Sequence, residues 1–237
     1  RYCLKPLNYE GDIRVGTQLK GDIINDGVAR YRQLESRHLE AVYEGIEGDM
    51  LTLTVKTKQS HIYLSICQKL DVSIDGTPVD DVLHKKETAK LSSSAEVKLT
   101  KGQELCITKM VYVSRSDEVS YEHDILKSEA ILSKEGFDHA LEASATEWAR
   151  LWQQADVKIT GDRLGQKLLR MHIYHLLVSA SPHNIMLDAS ITARGLHGEA
   201  YRGHIFWDEL YILPFYYMHF PDIAKAMLMY RYRRLDK

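Results

Sequence analysis

The sequence lacks a long apolar run, a strong net charge of either sign and more than a few cysteines. No apolar run approaches the ~20 residues that a membrane-spanning helix needs, so we expect no membrane partner. The net charge of the 237 residues is −2, which argues against a protein that coats nucleic acid. The chain opens inside a strand-like stretch without a signal-peptide pattern, so we expect a cytoplasmic protein whose true beginning lies upstream.

The three cysteines, Cys3, Cys67 and Cys106, are far apart and odd in number. Each lies in an apolar, strand-like stretch, which favours buried free thiols over a disulfide framework or a zinc site. His172 and His175 are three residues apart, but no carboxylate or cysteine with metal-site spacing accompanies them, so we interpret them as packing residues. We therefore expect no metal site.

Hydrophobic residues make up 44% of the chain, which is enough for a packed core. Up to about residue 115, apolar and polar residues alternate in several short stretches: 12–19, 51–57, 61–67, 96–100 and the more apolar 104–113. Turn-forming residues separate these stretches, and no helical pattern lies between them. The pattern predicts an antiparallel β-sandwich or barrel, in which residues 29–38 form a solvated connection.

After residue 116 the apolar spacing becomes that of helices. A long amphipathic helix is predicted from Gly136 to Ala155, and we interpret Trp148 and Trp152 on its apolar face as packing anchors. A strand-like stretch, residues 157–161, ends this region.

Three more helices are predicted towards the end of the chain. Asp162 is the expected N-cap of the first, which is apolar on most sides and should therefore be buried among other helices. The second should start near Ile205, and Pro214 should kink or split it. Pro221 opens the third, which is expected to run over residues 223–235. Its three arginines, at 231, 233 and 234, are interpreted as solvated or as compensating the helix dipole, with phosphate or nucleic-acid binding as alternatives.

Residues 194–209, RGLHGEAYRGHIFWDE, combine glycines, histidines, arginines, acids and aromatics. This mixture suits a sugar, because aromatic rings stack on C–H faces and charged groups bond to hydroxyls. Asp208 and Glu209 cannot be an acid–base pair across one bond, since adjacent helical residues point about 100° apart. Trp207 beside Asp208 suits a sugar floor with a hydroxyl acceptor. The alternative is a helix N-terminus with acids that complement the dipole and a buried tryptophan.

The same region, with residues 213–215 and 229–235 after it, resembles the glycoside hydrolase family of maltose, trehalose and kojibiose phosphorylases (family 65). Residues 5–8, 27–31, 37–40 and 136–138 also resemble that family. The resemblance implies a partial β-sandwich, a helical linker and the first helices of an (α/α)6 barrel. The corresponding domain boundaries are 1–115, 116–158 and 159–237.

The resemblance also implies roles for residues near the end of the chain. Trp207 and Asp208 are expected to hold the non-reducing glucose, and Arg202, Gly203 and His204 to lie on the same wall. The general acid of the family is expected beyond the end of this chain, which would then carry no catalytic residue and be inactive alone. Glu209 comes one place earlier than the family's second acid, so its role is open.

The implied function is that of a fragment of an inverting α-glucoside phosphorylase acting on maltose, trehalose or kojibiose. Inorganic phosphate would be the co-substrate, and no cofactor is expected. A hydrolase of the same family is one alternative, and a non-catalytic carbohydrate-binding or assembly module is another. Whether the full-length protein forms a homodimer is left open by the sequence.

Overall fold

The computed structural model describes residues 1–116, 125, 127, 131–132, 134, 136–194 and 201–235, but not the side chains of Ser116, Asn184 and Arg202. The chain divides into two compact units, Arg1–Leu141 and Glu142–Lys237, which are treated separately below. Within the described residues, no helix has both the length and the apolar character needed to cross a bilayer.

Two antiparallel sheets make up most of the first unit. Their strands are β1 (Tyr2–Leu4), β2 (Gly11–Lys20), β3 (Leu39–Glu47), β4 (Met50–Thr57), β5 (Tyr63–Ile74), β6 (Thr77–Pro78), β7 (Leu83–Glu87), β8 (Lys90–Leu99) and β9 (Leu105–Ser116). Among the described residues, one sheet has the order β1-β9-β5-β4-β3 with β6 against β5, and the other has the order β2-β8-β7. The predicted antiparallel arrangement is confirmed. The connection at 29–38 holds only a short 3-10 turn, Ala29–Tyr31.

The core of the first unit follows from the alternation in its strands. In β4, Leu51, Leu53 and Val55 are fully buried and pack with Leu91 of the other sheet. A second buried cluster combines residues from β2, β5, β8 and β9: Val15, Leu70, Val72, Ala95, Val97, Leu99 and Leu105. Because residues two apart share one face of a strand, the period-two pattern places these side chains between the sheets.

The prediction that all three cysteines are free thiols is wrong for two of them. Cys3 of β1 lies directly opposite Cys106 of β9 in the sheet register, and the two form a disulfide. Their Cα atoms are 4.2 Å apart, so the pairing of the strands alone brings the two sulfurs together. Cys67 is buried, lies outside the disulfide and accepts a hydrogen bond from the Thr52 hydroxyl.

Two helices of the second half of the chain follow their predictions closely. Helix α1 spans Phe137–Ala155 and α2 spans Arg163–Ser179. The Asp162 carboxylate caps α2 by accepting the Gly165 N–H at 2.9 Å. The stretch 157–161 is not a strand, contrary to the prediction. It is extended, and the Gln166 side-chain amide satisfies its backbone by accepting the Ile159 N–H and donating to the Val157 carbonyl.

Helix α3 spans Glu209–His219 and α4 spans Pro221–Tyr232. The predicted start of α3 near Ile205 is therefore wrong, because Asp208 is its N-cap. Pro214 lies inside α3 without splitting it, and Pro221 opens α4 as predicted. The helix α4 ends three residues before the predicted Leu235.

The second unit has its own core, centred on Tyr216, which is fully buried. Trp148 and Trp152 pack against this core, as their interpretation as anchors requires. Helix α2 contributes only Ile173 and Leu177 to the fully buried set. Three of its other apolar residues, Leu164, Leu168 and Met171, are between 44% and 65% exposed, so the expectation of a helix buried on most sides is not met within the described residues.

Candidate functional site

The segment before α3 contains a short turn that is held by hydrogen bonds between its own residues. Residues Tyr201–Gly203 form a 3-10 turn, in which Tyr201 and Gly203 both have positive φ angles of 52° and 71°. The Nδ1–H of His204 donates to the Tyr201 carbonyl at 2.8 Å, and its backbone N–H donates to the same oxygen at 3.1 Å. The imidazole of His204 is therefore used in part to hold the turn. The Arg202 side chain lies outside the described residues.

Aromatic rings cluster around this turn and the start of α3. Tyr201 meets Phe206 edge to face at 5.4 Å, and the His204 ring stacks on Phe206 at 5.9 Å. Trp207 meets Tyr211 at 5.5 Å with the ring planes 70° apart. Trp207 is 66% exposed, so it is not the buried tryptophan that the structural alternative requires. Its ring face is open to a ligand.

Asp208 is a helix N-cap whose side chain does not cap. An N-cap aspartate ordinarily accepts a backbone N–H from the first turn. Asp208 has αR backbone angles, φ −54° and ψ −29°, and its side chain makes no capping hydrogen bond. Among the side chains that the structure describes, which do not include Ser116, Asn184 and Arg202, no donor contacts this half-buried carboxylate. It lies at the positive end of the α3 dipole, which favours a negative charge there.

Glu209, by contrast, is held firmly by the fold. The residue is only 8% exposed, and its carboxylate accepts hydrogen bonds from the Ser190 hydroxyl and from Arg231 Nε, the latter at 2.7 Å. The guanidinium of Arg231 also donates to the Phe206 carbonyl at 2.8 Å. One ion pair thus ties the 190 loop, the start of α3 and the end of α4 together, directly beside Trp207.

Arg231 in the last turn of α4, and Arg233 and Arg234 just after it, are exposed as interpreted, but each also pairs with a carboxylate. Besides Arg231, Arg233 and Arg234 both bind Asp188, at 3.2 and 2.9 Å. These contacts, with the Arg234 hydrogen bond the largest, lower the pKa of Asp188 to about 2. All three guanidinium groups therefore have carboxylate partners within the chain.

A cavity of about 500 Å³ opens beside Trp207. It is lined by Phe206, Trp207, Glu209, Leu210, Leu213 and Arg231, together with residues of α4. Its walls are mainly aliphatic, and its two charged groups are already paired with each other. A sugar needs many hydroxyl partners, so this cavity is poorly suited to it. Asp208, Gly203 and His204 do not line the cavity.

The structure therefore separates the predicted site residues by environment. Trp207 is exposed and the Asp208 carboxylate has no donor among the described side chains, while His204 is partly engaged in its own turn. Gly203 supplies the left-handed backbone that this turn requires. The predicted binding roles of Arg202, Gly203, His204, Trp207 and Asp208 stay predictions.

Potential metal ligands come together at one place among the described residues: Cys3, Glu104 and Cys106. The two sulfurs are bonded to each other, so they cannot act as separate thiolate ligands in this state. We interpreted His172 and His175 as packing residues. On α2, His172 is exposed, whereas His175 is half-buried.

Comparison with protein families gives two matches along the chain. Residues 1–151 match the N-terminal domain of glycosyl hydrolase family 65, and residues 170–237 match the central catalytic domain of that family. The domain boundaries derived from the sequence differ in detail from these ranges and stay predictions.

Several proteins are similar to this chain over nearly its whole length. An uncharacterised glycosyl hydrolase of Mycobacterium tuberculosis is 33% identical over 96% of the chain and 17% of its own length. A trehalose 6-phosphate phosphorylase of Lactococcus lactis is 33% identical over 94% of the chain and 28% of its own length. A kojibiose phosphorylase of Caldanaerobacter subterraneus is 32% identical over 100% of the chain and 31% of its own length.

A solved structure assigned as a kojibiose phosphorylase from the human microbiome superimposes with a TM-score of 0.80. The superposition covers 96% of this chain and 29% of that protein, at 25% sequence identity. This chain thus spans less than a third of the length of the relatives described here. The fold is that of the family's N-terminal sandwich followed by the start of its helical barrel. The chain belongs to glycosyl hydrolase family 65.

Proposed function

We propose that the chain is part of an inverting phosphorylase that cleaves an α-linked glucose disaccharide such as maltose, trehalose or kojibiose. In this proposal, Trp207 and Asp208 hold the non-reducing glucose. The observation that carries the proposal is the Asp208 carboxylate, which has no donor within the described residues and lies beside an exposed tryptophan. The relatives named as phosphorylases support the reaction type.

The two side chains divide the recognition of a glucose ring between them. The indole face of Trp207 can stack on the C–H groups of the ring, and the two oxygens of Asp208 can accept two neighbouring hydroxyls. Charge-assisted bonds of this kind are stronger than neutral ones and fix the orientation of the ring. The carboxylate of Glu209 already accepts hydrogen bonds from Arg231 and Ser190, so it does not compete with Asp208 for the same hydroxyls.

The chemistry itself requires groups outside this chain. A carboxylic acid protonates the glycosidic oxygen, while phosphate attacks the anomeric carbon from the opposite face and gives β-glucose 1-phosphate. Phosphate is already an anion, so no protein base is needed. The activity belongs to the longer protein that contains these residues. A cytoplasmic location and a homodimer stay predictions for that protein.

The test uses the full-length protein with the Asp208→Asn and Asp208→Ala variants. We expect kcat/KM for phosphorolysis of the preferred disaccharide to fall by two or more orders of magnitude, about 3 kcal/mol or more of transition-state binding. The matched control is Asp162→Asn, since Asp162 is also a helix N-cap and asparagine caps equally well. Unchanged turnover in the Asp208 variants would remove this residue from the site.

A hydrolase is the second candidate, favoured by the relative described as a glycosyl hydrolase. In a hydrolase a carboxylate activates water, and the products are two free sugars. Product analysis with and without inorganic phosphate separates the two reactions. A phosphorylase gives glucose 1-phosphate and stops without phosphate, whereas a hydrolase releases glucose at the same rate in both conditions.

A further inference from the structure

Strand β1 is a weakly packed edge strand that one covalent bond holds in place. It has three residues and pairs only with β9, at the end of the larger sheet. Tyr2 is 63% exposed and Cys3 is also exposed, so only Leu4 packs against the core. So short an edge strand has little stability of its own. The Cys3–Cys106 disulfide lies at its central residue pair.

The same strand carries Arg1 to the start of helix α1. Arg1 lies on the same face of the strand as Cys3, two residues away. Its guanidinium forms two hydrogen bonds with the Asp138 carboxylate, at 3.0 and 3.1 Å, and lies over the Phe137 ring at 4.4 Å. Asp138 is 77% exposed in its side chain, and such surface pairs are weak unless something else fixes one partner. The disulfide holds β1 in the sheet and so fixes the position of Arg1, one partner of this pair.

We propose that the Cys3–Cys106 disulfide is a thiol–disulfide exchange site whose reduction by a dithiol releases β1 from the sheet and Arg1 from the first turn of α1. A dithiol is the co-reactant, either a small molecule or a protein dithiol. Cys3 is the more exposed of the two cysteines, so its sulfur is the point of attack in this proposal.

The exchange balances in two steps. A thiolate of the dithiol attacks Cys3 Sγ, the sulfur–sulfur bond breaks, and its electron pair leaves on Cys106 Sγ, which takes up a proton. The second thiolate of the dithiol then attacks the mixed disulfide and expels the Cys3 thiolate, which is also protonated. Two electrons pass to the protein and the dithiol becomes a cyclic disulfide.

Glu104 gives the reduced state a partner. Its Oε1 lies 3.7 Å from Cys106 Sγ, within reach of a hydrogen bond once that sulfur carries a proton. The carboxylate thus accepts the S–H of Cys106 and disfavours the thiolate that would re-form the bond. Reduction leaves the β9 edge at residues 105–107 without its partner strand.

The first experiment counts reactive thiols in the native chain. Cys67 is fully buried, so a thiol reagent should find none of the three cysteines in the untreated protein, two after mild dithiol treatment, and all three after reduction in denaturant. The Cys67→Ser variant should retain the count of two. A native protein that shows two reactive thiols without any dithiol, or none after it, would overturn the exchange site.

The second experiment asks whether reduction releases the strand. Hydrogen exchange should show loss of amide protection in residues 2–4 on reduction and its return on reoxidation, while β5 stays protected. Cys3→Ser should show the unprotected pattern without any dithiol. In Asp138→Asn, which breaks the Arg1 contact but keeps the disulfide, β1 should stay protected. Two reactive thiols with full protection of β1, or loss of protection in Asp138→Asn alone, would each refute the release.

Discussion

Replacing Glu209 by glutamine tests the ion pair that fixes the candidate site. Glutamine retains the shape of the side chain and an oxygen that can accept the Ser190 hydroxyl, but it removes the charge that faces Arg231. The guanidinium then loses the carboxylate that links the end of α4 to the start of α3. Its bond to the Phe206 carbonyl remains as the last tie to the segment before Trp207.

The magnitude follows from the burial of the two partners. The Glu209 side chain is 10% exposed, while that of Arg231 is 46% exposed. Breaking a fully buried pair costs about 3–5 kcal/mol, whereas a fully exposed pair contributes about 0–1 kcal/mol. Because the guanidinium is half solvated and retains another acceptor, we expect Glu209→Gln to cost about 1.5–3 kcal/mol of unfolding free energy.

The assay is urea unfolding followed by tryptophan fluorescence. All three tryptophans, at positions 148, 152 and 207, lie in the second compact unit, which contains the ion pair. With a slope of about 1–2 kcal/mol per molar urea, the midpoint should fall by about 0.8–3 M. The control is Asp188→Asn, which breaks the ion pairs of the exposed Asp188 with Arg233 and Arg234, just after the end of α4.

Asp188→Asn should move the urea midpoint less than Glu209→Gln, because water screens the exposed pairs. Equal shifts in the two variants would show that burial of Glu209 does not decide the strength of its ion pair, and the reasoning would fail. A smaller shift in Glu209→Gln than in Asp188→Asn would contradict it more strongly.

Two further changes test the packing and charge of the second unit. Tyr216→Phe should cost about 1 kcal/mol in the same urea assay, because the buried hydroxyl donates to the Leu176 carbonyl at 2.6 Å and that carbonyl retains the Ala180 N–H; an unchanged midpoint would show that this bond contributes nothing. The Asp188 pKa of about 2 lies below its ordinary value of 3.8, so its stabilisation is complete above pH 4 and is lost as the pH falls towards 2. The midpoint difference between wild type and Asp188→Asn should therefore shrink over that interval, and a constant difference would contradict the assignment.

The sandwich could be predicted because its evidence is local. Each inner position of β4 is two residues from the next, so the alternation is visible in any short window of sequence. Strand β3 was not predicted, because it lacks this local signal. It lies at the edge of its sheet, and most of its side chains are half or fully exposed, so no clear alternation marks it.

The features that could not be predicted join residues far apart in the chain. Cys3 and Cys106 are separated by 103 positions, and only the pairing of β1 with β9 brings them together. The start of α3 was misplaced because Ile205 and Phe206 are apolar and suit a helix. The Phe206 carbonyl instead accepts a hydrogen bond from Arg231, whose sequence neighbourhood gives no sign of the contact.

Asp208 and Glu209 show how the fold assigns different tasks to adjacent acids. The sequence alone established that the two cannot face one sugar together, but not which of them is available. The structure places Glu209 against Ser190 and Arg231, where its charge links the start of α3 to the end of α4. Asp208 occupies the N-cap without capping, so the helix forgoes a hydrogen bond worth about 1 kcal/mol. A carboxylate without a donor among the described side chains, next to one held in an ion pair, supports the binding role that we propose for Asp208.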